Sequence, residues 1–159
     1  MSLSIRPAVP NDIPLILQLI RKLAEYERLL THAVATAEDL QKALFGERPV
    51  AETVIAEWEG QAVGFALFFY NFSTFRGKPG IYLEDLFVEP EFRGKGIGQE
   101  LLRHLAKLAK ERDCARLEWS VLDWNEPAIG FYRSLGAVPL SDWTIYRVTD
   151  KALDALARG

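Results

Sequence analysis

Ile81-Tyr82-Leu83-Glu84-Asp85-Leu86-Phe87-Val88-Glu89-Pro90-Glu91-Phe92-Arg93-Gly94-Lys95-Gly96-Ile97-Gly98 decides how this chain folds. An apolar run, Ile81 to Val88, reads as a central strand and leads into a glycine-rich basic turn that opens a helix. Gly94, Gly96 and Gly98 carry no Cβ, so a ligand can approach the backbone closely. The first N–H groups of the following helix lack intrahelical partners and lie at its positive end. That arrangement suits an anion, most naturally a pyrophosphate, with Arg93 and Lys95 adding charge beside it. A plain glycine-rich connection would also use these residues.

The spacing excludes two common phosphate sites. No run matches a P-loop, which needs four residues between its first glycine and Gly-Lys-Ser/Thr. The dinucleotide fingerprint needs Gly-x-Gly-x-x-Gly, whereas Gly94, Gly96 and Gly98 run Gly-x-Gly-x-Gly. Read as Arg93-x-x-Gly96-x-Gly98, the turn resembles the coenzyme A pyrophosphate loop of the GCN5-related N-acetyltransferases.

The flanks read as alternating strands and helices. Leu3–Arg6 is a first strand. Asn11 is a candidate cap for a helix from Asp12 to Tyr26, with Pro14 in its first turn and Ile13, Ile16, Leu17, Ile20, Leu23 and Ala24 at helical spacing. Thr36-Ala37-Glu38-Asp39 predicts a capped second helix ending near Gly46. Thr53–Trp58 and Ala62–Tyr70 form a hairpin about Glu59-Gly60. Asn71–Gly80 reads as a loop. A helix from Gly96 to about Arg112 places Ile97, Leu101, Leu105 and Leu108 on one face. Arg116–Val121 is a further strand. Asn125 caps a helix to Leu135, which Gly136 ends. Val138–Leu140 and Trp143–Val148 are expected as closing strands, and Lys151–Ala157 as a terminal helix. The expected class is an α/β (α+β mixed) fold, a mostly antiparallel sheet with helices on both faces, forming one domain over residues 1–159.

Composition bounds the function. At 159 residues the chain can bury a real core, and its 49% apolar and 26% charged content is ordinary for a globular protein. A net charge of −3 offers no basic field, so no nucleic-acid partner is expected. It mildly favours a cationic small molecule. A single cysteine, Cys114, excludes an internal disulfide and reads as a small core residue. His32 and His104 form no cluster with it, so no metal site is expected. No apolar run reaches the roughly 18 residues of a membrane span, and no signal peptide leads the chain. The expectation is a cytoplasmic protein without a membrane partner.

Four further blocks narrow the resemblance: Leu23-Ala24-Glu25-Tyr26-Glu27, Phe45-Gly46-Glu47-Arg48-Pro49, Tyr82-Leu83-Glu84-Asp85-Leu86-Phe87-Val88, and Trp124-Asn125-Glu126-Pro127-Ala128-Ile129-Gly130-Phe131-Tyr132. In this order they resemble the spermidine/spermine acetyltransferase family, which includes relatives acting on thialysine. The likeness covers almost the whole chain. The chain departs from that family by a shorter loop after Trp58 and a shorter Ser141-Asp142-Trp143 corner, the latter in the region that lines the family's amine pocket.

The resemblance implies acetyl-coenzyme A as cofactor and a small amine as acceptor, a polyamine, a diamine or a lysine-like amino acid. It places the pantetheine arm along Leu86, Phe87 and Val88, the pyrophosphate on Arg93, Gly94, Lys95, Gly96, Ile97, Gly98 and Gln99, and Asn125, Glu126, Pro127 and Ala128 near the cofactor. It assigns Tyr26, Glu27, Glu84, Glu118, Trp119 and Ser120 to the amine, and a homodimer as the assembly. Glu27 and Glu118 have the sign a cation requires, and Trp119 and Trp124 offer cation–π faces.

Acetyl transfer sets two proton problems. A lysine-like amine has a pKa of about 10.4, so roughly one molecule in 2500 is neutral at pH 7, a cost of about 4.6 kcal/mol. A carboxylate that takes this proton meets the first problem, and the resemblance gives that role to Glu84. The leaving thiolate, with a thiol pKa of about 8.5, needs a donor, and the resemblance gives that role to Tyr132. Asp85 falls on the opposite face from Glu84 if the strand is regular, and a bulge there would change this. Direct attack in a ternary complex is expected, since neither Cys114 nor any serine has an evident activating base. Acetylation of a protein amine and a non-catalytic coenzyme A-binding module are the rival readings.

Overall fold

The computed structural model describes residues 2–159. It divides into two compact units, Met1–Leu122 and Asp123–Gly159. The first contains β1 (Leu3–Pro7), α1 (Ile13–Tyr26), α2 (Ala37–Phe45), β2 (Glu52–Trp58), β3 (Gln61–Ser73), β4 (Lys78–Val88), α3 (Ile97–Glu111) and β5 (Leu117–Trp119). Its sheet runs in chain order, β1-β2-β3-β4-β5. Pairing is antiparallel from β1 to β4, and β5 joins β4 in parallel.

Alternation along the strands supplies two apolar faces. Phe65, Phe87 and Ile55 pack with Ile16, Leu19 and Leu23 of α1 and with Leu40 and Leu44 of α2. Phe68, Ile81 and Leu83 alternate onto the other side, where α3 meets β3 and β4 and buries Leu101 and Leu105. The sheet is therefore mixed, mostly antiparallel, with helices on both faces. On α3 the predicted face holds, although Leu108 is only half-buried and Leu102 and Ala109 join the core.

Local signals set several boundaries. Trp58 pairs with Gln61, so Glu59 and Gly60 form a two-residue hairpin turn, with φ of 52° and 80°. Positive φ at both positions is what the twist of such hairpins demands. Thr36 Oγ1 accepts from Asp39 N–H while Asp39 Oδ2 accepts from Thr36 N–H, the reciprocal cap expected for α2.

The start of α1 differs from expectation. Residues Pro10–Asp12 form a 3-10 turn, and Asp12, not Asn11, secures the entry by accepting from Val9 N–H at 2.8 Å. The Arg6 guanidinium donates to both Asp12 oxygens at 2.7 and 2.9 Å and holds that carboxyl below its ordinary range. The loop expected over Asn71–Gly80 shrinks to residues 74–77, because Ser73 pairs with Lys78 and the ladder carries both strands past their apolar runs. The strand expected over Arg116–Val121 keeps only Leu117–Trp119.

The second unit contains α4 (Glu126–Ser134) and α5 (Asp150–Arg158). Asn125 Oδ1 accepts from Ala128 N–H at 3.4 Å, Pro127 occupies the first turn, and Gly136 follows the helix with φ of 88°. The closing strands expected over Val138–Leu140 and Trp143–Val148 do not form. Apolar alternation selects which side chains share a face, but a strand exists only when a neighbour completes its ladder. Val138, Leu140, Trp143, Ile145, Tyr146 and Val148 are exposed, and Trp143 N–H instead closes a turn on Leu140 O at 3.2 Å.

The core makes a direct prediction. Phe65 is fully buried between β3 and the helices of its face. Phe65→Ala is expected to lower stability by about 3–5 kcal/mol, read from the midpoint of a urea unfolding curve at constant slope.

Candidate active site

The site begins where β4 loses its neighbour. β5 pairs with β4 only over Ile81–Leu83, so Glu84–Val88 have β3 on one side and no strand from this unit on the other. Open backbone groups of this kind can pair with an extended ligand. β4 also carries an irregularity at this point. Leu67 pairs with Asp85 and Phe68 with Leu83, which leaves Glu84 as an extra, unpaired residue. Such a bulge turns the chain and re-aims the side chains around it.

The bulge alters the expected placement of the acids. Asp85 falls opposite Leu67, on the same face as Phe65 and Phe87 and hence toward α1, while Glu84 stands exposed. Glu27, just past the end of α1, joins them. Burial first, then the Glu84 and Glu27 charges, pushes the Asp85 carboxyl up to about 7. Burial and Glu84 raise Glu27 as well. Two of the expected residues, Glu27 and Glu84, thus come together with Asp85. Asp85 is set aside in the sequence for a regular strand and reached only if β4 bulges, and the register shift supplies that bulge without any local signature.

The glycine turn is built as a cradle. Gly94 and Gly96 have φ of 80° and 82°, and a Cβ at Gly94, Gly96 or Gly98 would meet no atom within 4 Å. At Gly94 and Gly96 that open space lies over backbone which L side chains rarely adopt, which suits a ligand rather than a packing partner. Glu100 N–H closes the first helical rung on Gly96 O at 3.0 Å, so the N–H groups of Ile97, Gly98 and Gln99 precede it. Ile97 is itself buried and serves the core with its side chain. These residues fit the pyrophosphate of acetyl-coenzyme A.

The basic side chains are more occupied than expected. Arg93 Nε donates to Val88 O at 2.9 Å, and its guanidinium lies 5.0 Å from the Tyr26 ring centroid and 5.3 Å from that of Phe87. Lys95 Nζ lies 5.3 Å over the Trp58 ring. Both clamp the turn to its surroundings by cation–π contact while keeping their charge beside it. Lys22 of α1 adds a 2.6 Å ion pair to Glu89 at the end of β4.

Toward β5 the expected amine residues form a second group. Tyr82 and Ser120 share a 2.6 Å hydroxyl hydrogen bond, and the Tyr82 ring stacks on Phe69 at 5.4 Å. Glu118 pairs across from Tyr82, and its Oε1 accepts from Asn71 Nδ2 and meets Arg116 Nε, each at 3.0 Å. Glu118 is therefore already matched by a cation of its own. Trp119 lies opposite Leu83. In the second unit, Phe131 and Tyr132 project from α4 with ring centroids 5.6 Å apart, and Asn125 is buried at its cap. Glu126, Pro127 and Ala128 form its first turn.

Two cavities lie elsewhere in the first unit, about 400 Å³ beside Phe45, Thr53 and Phe69 and about 250 Å³ beside Lys78, Lys110 and Cys114. Neither includes the three carboxylates. Among the described residues no helix is long and apolar enough to cross a membrane, and no group of His, Cys, Asp and Glu side chains is placed to hold a metal.

An open sheet edge, a left-handed glycine turn at a helix start and the acids Glu84 and Asp85 thus follow one another along β4 and into α3. The model of the Acetyltransferase (GNAT) family matches residues 17–137, and the chain belongs to that family. Thialysine N-epsilon-acetyltransferase of Bos taurus is 40% identical over 164 aligned residues, covering 96% of each chain. An L-ornithine N5-acetyltransferase of Arabidopsis thaliana is 32% identical, covering 96% of this chain and 86% of its own. An integron cassette protein from the mobile metagenome of V. cholerae superposes with a TM-score of 0.84 at 30% identity, over 100% of this chain and 99% of that one. The protein is an N-acetyltransferase that acts on amines.

The raised Asp85 carboxyl has a consequence for stability. Its folded value of about 7 lies above the ordinary 3.8, so the folded form binds the proton more tightly and stability falls as pH rises from about 4 through 7. Asp85→Asn removes that penalty. Its melting temperature is expected to exceed the parent's by several degrees at pH 8 and to match it at pH 4, by calorimetry.

Proposed function

We propose that the protein transfers the acetyl group of acetyl-coenzyme A to a primary amine of a small cation, a polyamine or diamine or a lysine-like amino acid such as thialysine, by direct attack in a ternary complex. The observation that carries this reading is the cluster of Glu27, Glu84 and Asp85 beside the unpaired stretch of β4 that leads into the glycine turn. The relatives acting on thialysine and on ornithine support an amine of this class.

In this reading bound acetyl-coenzyme A supplies the thioester carbonyl. Leu86, Phe87 and Val88 offer backbone to its pantetheine arm, although Val88 O is shared with Arg93. Gly94 through Gln99 receive the diphosphate, with Lys95 and Arg93 alongside, and Asn125 through Ala128 lie near the cofactor. The carboxylates attract the ammonium, remove its proton and leave a neutral nucleophile, Glu84 being the base that the family likeness assigns. Tyr26, Glu27, Glu118, Trp119 and Ser120 receive the rest of the acceptor. Tyr132 returns a proton to the sulfur. A phenol in water is a weaker acid than a thiol, so donation from a tyrosine to a thiolate is uphill by about 2 kcal/mol on reference values, a modest cost if the phenol is later reprotonated. A homodimer belongs to the same reading, supported by the exposed apolar side chains between Val138 and Val148, and sedimentation tests it.

Release of the coenzyme A thiol over a panel of thialysine, ornithine, putrescine, spermidine and a lysine-bearing peptide tests the proposal. Turnover with the small amines and not the peptide is expected. Turnover with the peptide alone selects a protein acceptor, and cofactor binding without any turnover selects a non-catalytic module. Tyr132→Phe is expected to lower kcat by ~10²–10⁴ with cofactor affinity retained, and unchanged turnover removes its role.

A further inference from the structure

We infer that the cavity of about 400 Å³ between the end of α2 and the first residues of β2 is a binding site for a neutral aromatic small molecule bearing one hydroxyl, separate from the acyl-transfer site. The inference does not depend on how the reaction is read. The cavity is lined by Leu44 and Phe45 of α2, Val50 and Ala51 of the segment that follows, Thr53 of β2 and Phe69 of β3. Neither Glu84–Val88 nor the glycine turn borders it.

The fold explains the gap. Side chains two apart on a strand share a face. Ile55 and Phe65 face α1 and α2, so Thr53 and, beyond Leu67, Phe69 face the same way. α2 ends at Phe45, and the chain then folds back, with Val50 N–H donating to Ala43 O at 2.8 Å. Leu44 is buried in the core, whereas Phe45 is only half-buried. Helical cover thus stops before the strands do, and the space left has mostly apolar walls.

No charged side chain is free to serve this space. Glu52 and Tyr70 border it, but alternation turns both toward the α3 face, where Arg112 holds them. The Arg112 guanidinium donates to the two Glu52 oxygens at 2.6 and 2.9 Å and to Tyr70 Oη at 2.9 Å. Among the described residues, Thr53 is then the one polar side chain left to the cavity. It is 6% exposed, and its Oγ1 has no hydrogen-bond partner among the described residues.

These features select a ligand chemistry. A buried hydroxyl without a partner is costly, and a threonine hydroxyl can both donate and accept. A single torsion, χ1, sets its direction. An aromatic ring seated against Phe45 and Phe69 gains offset or edge contacts, and a hydroxyl on that ring gives Thr53 its missing partner. An ion gains nothing, because it would leave water with no opposite charge to meet it. The volume lies toward the small end of the roughly 300–1,000 Å³ of small-molecule pockets, which suits a compact ring rather than a long chain.

Phenol and benzene are the probes, titrated into the full chain and followed by backbone amide shifts in proton–nitrogen correlation spectra. Saturable shifts centred on Ala51, Thr53 and Phe69 are expected, with phenol bound roughly 3–10-fold more tightly than benzene, the gain of one hydrogen bond. Thr53→Val keeps the side chain's shape and removes its hydroxyl. It is expected to bind benzene as the parent does and to lose the preference for phenol. The inference is overturned if neither probe gives saturable shifts at these residues, if the shifts centre on the stretch from Glu84 to Gly98, or if Thr53→Val retains the preference. Equal affinities of the two probes for the parent overturn it as well, whatever the variant does. The amine assay stands or falls separately.

Discussion

The whole arrangement depends on one discontinuity in β4. From Ile81 to Leu83 the strand pairs with both β3 and β5, and from Glu84 to Val88 it has only β3 among the described strands of its unit. The bulge at Glu84 sits at that point of separation. An extra residue bends and twists a strand, so a bulge is one way to separate strands that begin as neighbours. The separation exposes backbone polar groups, which normally invite another chain. Here the exposed stretch runs directly into the left-handed glycine turn, and in the reading proposed above an extended ligand pairs with the one and sets its anionic group on the other.

The turn meets that need with backbone rather than with side-chain charge. Gly94 and Gly96 adopt left-handed conformations, and Ile97 is buried so that α3 starts in a fixed place. The N–H groups at its start then hold their positions without any side chain to order. Arg93 and Lys95, which look in sequence like phosphate ligands, also brace the loop, one against Val88 O, Tyr26 and Phe87, the other against Trp58. Their charge raises the local potential, and in the reading proposed above the bracing spares the ligand some of the entropic cost of ordering the loop.

Features with local causes were legible from sequence. The hairpin turn at Glu59-Gly60, the Thr36–Asp39 cap, the Asn125 cap and the apolar face of α3 each follow from a few neighbouring residues. Features set by pairing between distant segments were not. The bulge follows from the register of β3 on β4, the ladder past Tyr70 depends on partners such as Pro79 and Lys78, and the apolar alternation of Trp143–Val148 does not by itself supply a neighbour. At the site, the glycine turn, Glu27 and Glu84 were visible as residue types in order. Asp85 was visible only as the neighbour of Glu84, because a regular strand would have placed it on the opposite face.

The same discontinuity sets how the Glu27, Glu84 and Asp85 carboxyls influence one another. A single exposed carboxylate attracts an ammonium but is a poor base for it, because hydration favours its charged form. Three carboxylates in van der Waals reach of an apolar core would repel one another and destabilise the fold. The bulge resolves this by leaving Glu84 in solvent, where its charge costs little, and seating Asp85 against Leu67 and Phe87, where the charge costs more. Glu27 adds its charge from the end of α1 without entering the ladder. In the reading proposed above, an ammonium relieves that repulsion and draws part of its binding from strain already present in the free protein. The register of β3 on β4 sets the strength of that repulsion, because it fixes where Asp85 sits.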